Sequence, residues 1–377
     1  MRLRVPRAGP VAIAIAALLV AACGGAYRPP ALQGPASQEP SSQASQPAGP
    51  LVGIDLPDAS PDARWAVDGA SIVASLTALG YQADLQYADN DAGTQISQIS
   101  AMVSGGVKLL VIGAVDATSL TATLQKAADA GVKVLAYDRL IRDSANVNAY
   151  VSFDNVGVGA LQAGSIEQSL GLKTKPGPFT VELFAGSPDD NNAGLLFTGA
   201  MSVLQPYITS GKLVVPSGQT AFPGQVATQD WNPGTARARL TNILGGYGAK
   251  RLDAVLSQAD ILSSGIIASL KEAGYYTAAK PAPVVTGQDA VVDTVKSILA
   301  GEQTSTVFKD TRLLGAQAAK MVDQMLKGTP VDTTDTTSFN NGATVVPTFL
   351  LHVVLVTKDN VKAALLDSGF YTAAQLP

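Results

Sequence analysis

The sequence predicts an α/β protein of two lobes, each built on a parallel sheet covered on both faces. Three observations carry this. The chain has 377 residues, 46% of them hydrophobic, more than one core usually serves. From Leu51 onward, short β-rich runs alternate with segments of helical period, the order that βαβ units take. The alternation comes as two successive series of similar size.

Ahead of the lobes, Arg2, Arg4 and Arg7 precede an apolar stretch from Val11 to Val20, the layout of a secretory signal and too short to span a bilayer comfortably. Residues 1–22 are therefore expected to be removed. The stretch ends in Val20-Ala21-Ala22-Cys23-Gly24, which resembles the lipobox of bacterial lipoproteins and would leave Cys23, the only cysteine, as the lipidated residue. From Ala26 to Pro50 the chain turns to Pro, Ser, Gln, Ala and Gly, with too few large apolar groups to bury, so 23–50 is predicted to be a disordered tether. A tether behind a lipidated cysteine places the body at an outer membrane face, anchored to the cytoplasmic membrane or facing a periplasm.

In the first series, strands are predicted at Leu51–Leu56, Ala83–Tyr87, Leu109–Gly113 and Val132–Ala136. Ile72, Leu76 and Leu79 form an apolar stripe at helical spacing that stops at Gly80. The second series opens near Tyr150–Phe153 and runs through Phe179–Phe184, Lys212–Pro216, Asp253–Ser257, Val284–Gly287 and Thr306–Lys309. His352, the only histidine, sits in the strand-like run Leu350–Val354 and reads as a packed or edge-strand residue.

Composition removes several classes of function. A net charge of −4 and a pI near 5.1 provide no basic field for nucleic acid. One Cys and one His exclude a disulfide framework and a Cys/His zinc cluster, and leave no histidine-based triad unless His352 serves. Gly157-Val158-Gly159 has the position of a dinucleotide loop, but Gln162 stands where the third glycine belongs, so the glycines are assigned to helix packing and no cofactor is expected. Asp189-Asp190 is no pair for glycoside hydrolysis, because neighbours in sequence seldom flank one bond from opposite faces. No metal site and no enzyme activity are expected.

In α/β lobes, ligands gather beyond the carboxyl ends of strands. The residues there are Asp62-Ala63-Arg64-Trp65 after the first strand and Tyr137-Asp138-Arg139 after the fourth. The second series adds Asp189-Asp190-Asn191-Asn192, Trp231, Asp260, Gln288-Asp289 and Lys309. A sugar offers hydroxyls that donate and accept, plus apolar C–H faces, so its binder needs carboxylates and amides, Arg and Lys, and a flat aromatic surface. Both tryptophans of the chain fall in this set, and its charges are of both signs, which suits a neutral polyol better than an anion.

Long runs of these residues carry a family resemblance. From Leu51 to about Pro377 the chain resembles the type I periplasmic binding proteins for D-xylose and for multiple aldoses. The matching stretches are Arg64-Trp65, Leu85-Gln86-Tyr87-Ala88-Asp89, Val134 to Ile141, Ser152-Phe153-Asp154-Asn155, Gly186 to Ala193, Gly287-Gln288-Asp289 and Val345-Val346-Pro347. The resemblance implies two lobes joined by a three-strand hinge, crossing near Ser152–Asp154, Lys309–Thr311 and Pro347–Phe349. The lobes would be 51–153 plus 310–347, and 154–309 plus 348–377. It implies a monosaccharide held by Arg64, Asp138 and Arg139 from one lobe, by Asn191 or Asn192, Asp260, Asp289 and Lys309 from the other, with Trp65 and Trp231 against the ring. Ala259 departs from the pattern: xylose-specific relatives carry an amide there and multi-sugar relatives an aromatic, so the preferred sugar stays open. The implied partners of the monomer are an ABC importer, permease and ATPase, or a chemotaxis or sensor receptor to which it presents sugar. A sugar-responsive transcription regulator would need an N-terminal helix-turn-helix, where this chain has its signal and tether.

Overall fold

The computed structural model describes residues 49–59, 64–248 and 250–376. The signal segment, Cys23 and nearly all of the tether lie outside the described residues, as do Asp62 and Ala63.

The first series forms β1 (Leu51–Leu56), α1 (Trp65–Ala78), β2 (Gln82–Tyr87), α2 (Ala92–Ser104), β3 (Leu109–Ile112), α3 (Thr121–Asp129) and β4 (Lys133–Tyr137). These strands pair in parallel in the order β4-β3-β1-β2. Because strand side chains alternate in direction, each strand feeds two cores. Leu109 and Val111 pack with Ile72 and Leu76 of α1, whereas Leu110 and Ile112 pack with Ile99 of α2 and Leu124 of α3. Leu79, expected on the buried stripe, is 47% exposed. The helix ends at Ala78 and Gly80, at φ +86, turns the chain, so Leu79 drops off the stripe.

The chain then crosses three times. β5 (Ala149–Phe153) pairs with β4, so these residues belong to the first sheet and do not open the second series as the pattern suggested. The chain leaves the first lobe after Phe153 and forms α4 (Asn155–Leu170), β6 (Phe179–Phe184), α5 (Asn191–Thr209), β7 (Leu213–Val214), α6 (Pro233–Gly245), β8 (Ala254–Ser257), α7 (Asp260–Glu272), β9 (Val284–Val285), α8 (Val292–Ala300) and β10 (Ser305–Phe308). Strand order here is β7-β6-β8-β9, all parallel, and a Gln288–Val307 bridge lays β10 alongside. Of the two glycines assigned to helix packing, Gly159 packs and Gly157 instead receives the cap of α4. Asp154 caps α4 at the Gly157 N–H, 2.9 Å away, and a Cβ on Gly159 or on Gly199 would overlap backbone of the facing helix, so α4 and α5 touch through bare backbone.

The second crossing, Phe308 to Thr311, leads into α9 (Thr311–Lys327), whose Leu314, Ala318 and Met321 return to the core shared with α1. β11 (Thr348–Leu351) pairs in parallel with β5, and β12 (Val354–Thr357) pairs antiparallel with β10. The third crossing thus lies between Leu351 and Val354, a few residues beyond the expected Pro347–Phe349, and residues 348–351 stay with the first lobe. Thr348 to Thr357 is an almost unbroken run of β-formers, so composition does not reveal where one sheet hands over to the other. His352 sits in that handover and is exposed, not packed within a strand.

Candidate functional site

The carboxyl ends of both sheets face a cleft of about 300 Å³. Nine of the ten predicted side chains line it: Arg64, Trp65, Asp138, Arg139, Asn192, Trp231, Asp260, Asp289 and Lys309. Asn191 does not. It follows the N-cap Asp190 at the start of α5, where successive residues point about 100° apart, so Asn192 faces the cleft and Asn191 faces Arg142, whose Nη1 donates to it at 3.1 Å.

Arg64, held just before α1, joins the two walls. Its Nη2 lies 2.7 Å from Asp138, its Nε 3.2 Å from Asp68 and its Nη1 3.7 Å from Asp289 in the opposite lobe. Lys309, at the second crossing, reaches the same Asp289 oxygen at 2.8 Å. Arg139 completes the cationic set through Asp190, 3.0 Å away across the cleft. The guanidiniums of Arg64 and Arg139 lie 4.9 and 5.2 Å from the Trp65 ring centre, so Trp65 is a floor for both arginines.

Burial acts against the Asp68, Asp138, Asp190 and Asp260 carboxyls, and the neighbours decide the outcome. For Asp138 burial pushes upward, but Arg64, Lys309 and Arg139 outweigh it and the group stays below the usual carboxylate range. Asp68 is pushed up to about 6, burial prevailing over the Arg64 charge and a hydrogen bond from Tyr137. Asp260 is raised well above its ordinary value by burial and by the nearby charge of Asp289. Its oxygens already accept from Gln303 at 3.0 Å, Thr306 at 2.9 Å and the Val291 N–H at 3.3 Å. Asp260 therefore braces the wall that carries Gln288 and Asp289, and its capacity toward a ligand is largely spent.

Trp231 ends a short 3-10 turn, Gln229–Trp231, with positive φ at Asp230 and Trp231. Such backbone costs about 1–3 kcal/mol per residue and persists where surroundings hold it. One constraint is Gly186, since a Cβ there would overlap the indole ring. Asp190 and Gln288, named among the strand-end residues but given no sugar contact by the resemblance, line the cleft, and so does Asn155, which sequence reasoning passed over. Asn155 donates to Asn192 at 3.0 Å and Asn192 donates to the Asp138 carbonyl at 2.9 Å, a chain of amides linking first crossing, second lobe and first lobe. The signal available for Asn155 was its place two residues after the end of a strand, at the first position of α4.

A buried set of charges in both signs, with amides and two indoles between lobes, is a site built to capture. A family model for a periplasmic binding protein domain matches residues 52–330. The chain belongs to that family. This periplasmic binding protein is 53% identical over 326 residues to the multiple sugar-binding periplasmic receptor ChvE of Rhizobium radiobacter, covering 86% of this chain and 92% of that one. It is 36% identical over 313 residues to the D-xylose-binding periplasmic protein of Escherichia coli, covering 83% and 88%. Both come from the branch the sequence resembled. Among solved structures, an ABC transporter solute binding protein from Clostridium phytofermentans with bound β-D-glucose superposes with a TM-score of 0.83 at 43% identity, over 87% of this chain and 100% of that one. The fold is the type I periplasmic binding fold, and the chain is a binding protein, not an enzyme.

Proposed function

We propose that this periplasmic binding protein captures a free aldose between its lobes and delivers it to an ABC importer. The observation that carries the reading is Arg64, which ion-pairs with Asp138 of its own lobe and Asp289 of the other inside a cleft lined by both tryptophans. A polyol placed there meets donors and acceptors from both sides at once, and each hydroxyl can replace water without leaving a buried charge unpaired. The cleft wall carries Arg64, Arg139 and Lys309 against a larger number of aspartates, which disfavours phosphorylated sugars. Relatives named for multiple sugars, D-xylose and glucose support the ligand class. Calorimetric titration with xylose, glucose, galactose and arabinose tests it, and heat from none of the four would sink the reading.

Delivery requires the protein to work outside the cytoplasmic membrane. We assign that address to Cys23, lipidated after removal of residues 1–22. Labelled palmitate is expected on the parent and absent from Cys23→Ser; an unlabelled parent would overturn the anchor and leave the sugar site standing.

A further inference from the structure

Three consecutive residues around the start of α5 each reach a partner in the first lobe. The Asp189 carbonyl accepts from the Ala117 N–H at 3.2 Å, Asp190 pairs with Arg139 at 3.0 Å, and Asn191 accepts from Arg142 at 3.1 Å. The receiving side is itself one unit, because the Arg142 N–H donates to the Ala117 carbonyl at 2.6 Å and so ties the loop after β3 to the loop after β4. Ala117 is buried and Arg142 and Asn191 are half-buried. Arg139 and Asp190 line the cleft, whereas Arg142 and Asn191 stand outside it. The outermost pair therefore registers the approach of the lobes without touching what lies between them.

A contact of that kind has a definite thermodynamic consequence. Apparent affinity is the intrinsic affinity scaled by the fraction of protein in the binding-competent state. A lobe-to-lobe hydrogen bond that no ligand touches changes that fraction alone, so it must scale all ligands by one factor. A side chain that touches sugar would change the ratio between sugars instead.

We propose that Arg142 and Asn191 form a rim latch that sets the closing equilibrium and scales affinity for every sugar without choosing among them. This rests on the reading of the cleft as an aldose site. It also gives Asn191, expected from the family resemblance to touch sugar, a positioning role.

The test is titration of the parent, Asn191→Ala, Arg142→Ala and the double variant with glucose, galactose, xylose and arabinose, with circular dichroism as the check on folding. Asn191→Ala is the safer variant, since Asp190 keeps its cap at the Asn192 N–H. Loss of one charge-assisted hydrogen bond is expected to weaken every sugar that binds by a common factor of about three to ten, with faster dissociation and an unchanged ranking. The double variant should lose no more than the weaker single, because both changes remove one contact. A parent that binds sugars while Asn191→Ala binds them equally well overturns the latch alone. A reordered ranking also overturns it, by making Asn191 a ligand contact. A parent that binds none of the four overturns the aldose reading, and the latch with it.

Discussion

Arg64→Ala is expected to weaken sugar binding at least about a hundredfold, roughly 2.7 kcal/mol, and to lower the thermal midpoint as well. The guanidinium is the shared partner of Asp68, Asp138 and Asp289, and its removal leaves three carboxyl groups facing one nearly buried space. Breaking a buried pair costs more than the pair itself contributes, because the remaining charge stays desolvated. Folding and binding effects are separable by pH. Asp138 is held below its ordinary range in the face of burial, with Arg64 the foremost of the charges that do so. Without Arg64 the Asp138 carboxyl rises, and a carboxyl raised in the folded state favours folding at low pH and loses that contribution as pH climbs through its folded value. Asp68, already near 6, acts in the same direction in the parent. The variant should therefore gain thermal midpoint relative to the parent as pH drops from about 8 to about 5. Arg64→Lys keeps the charge but not the fork, so it should recover stability more than affinity. If Arg64→Ala binds every sugar within about threefold of the parent, the bridge between Asp138 and Asp289 is not part of the site.

Most of the fold was legible because the signals were periodic. Leu109 to Ile112 alternate between two cores, and Ile72 and Leu76 repeat at helical spacing, patterns that only one kind of element satisfies. The crossings were another matter. Nothing local distinguishes Thr348–Leu351 from Val354–Thr357, yet the first joins β5 and the second β10, because sheet membership is decided by partners that lie far outside either run. Family resemblance supplied the discontinuity and missed its last boundary by a few residues. The site followed the same division. Charged and aromatic residues after strands were readable by type, but the choice between Asn191 and Asn192 depended on the phase of α5, and the role of Asp260 depended on Gln303 and Thr306 arriving from beyond α8. Asn155 was within a quoted run and still went unassigned, since an amide following a helix cap looks like any other first-turn residue.

Trp231 offers the second large effect, and Gly186 makes the test sharper. An indole face that packs on a desolvated sugar ring contributes about 1–3 kcal/mol on truncation, so Trp231→Ala should weaken binding about tenfold to a hundredfold across the panel. The ring is only half-buried and borders two apolar clusters without being the centre of either, so circular dichroism of the variant should stay native. Truncation alone leaves open whether the ring is needed or merely its bulk. Gly186→Ala addresses that, because it keeps the indole and denies it its place: the new methyl would overlap the ring, and the flexible partner in that clash is the tryptophan. Backbone is less free to yield, since the Gly186 N–H donates to Gln258 at 2.8 Å and its carbonyl accepts from Thr228 at 3.1 Å. Gly186→Ala should thus weaken sugars nearly as much as Trp231→Ala, while in the Trp231→Ala background the same methyl should cost little, a non-additive pair expected of atoms in contact. Calorimetry on the four proteins decides it. Unchanged affinities in Trp231→Ala would make the ring a packing residue of the second lobe, and additive losses would mean that Gly186 acts on the sugar through something other than the position of Trp231.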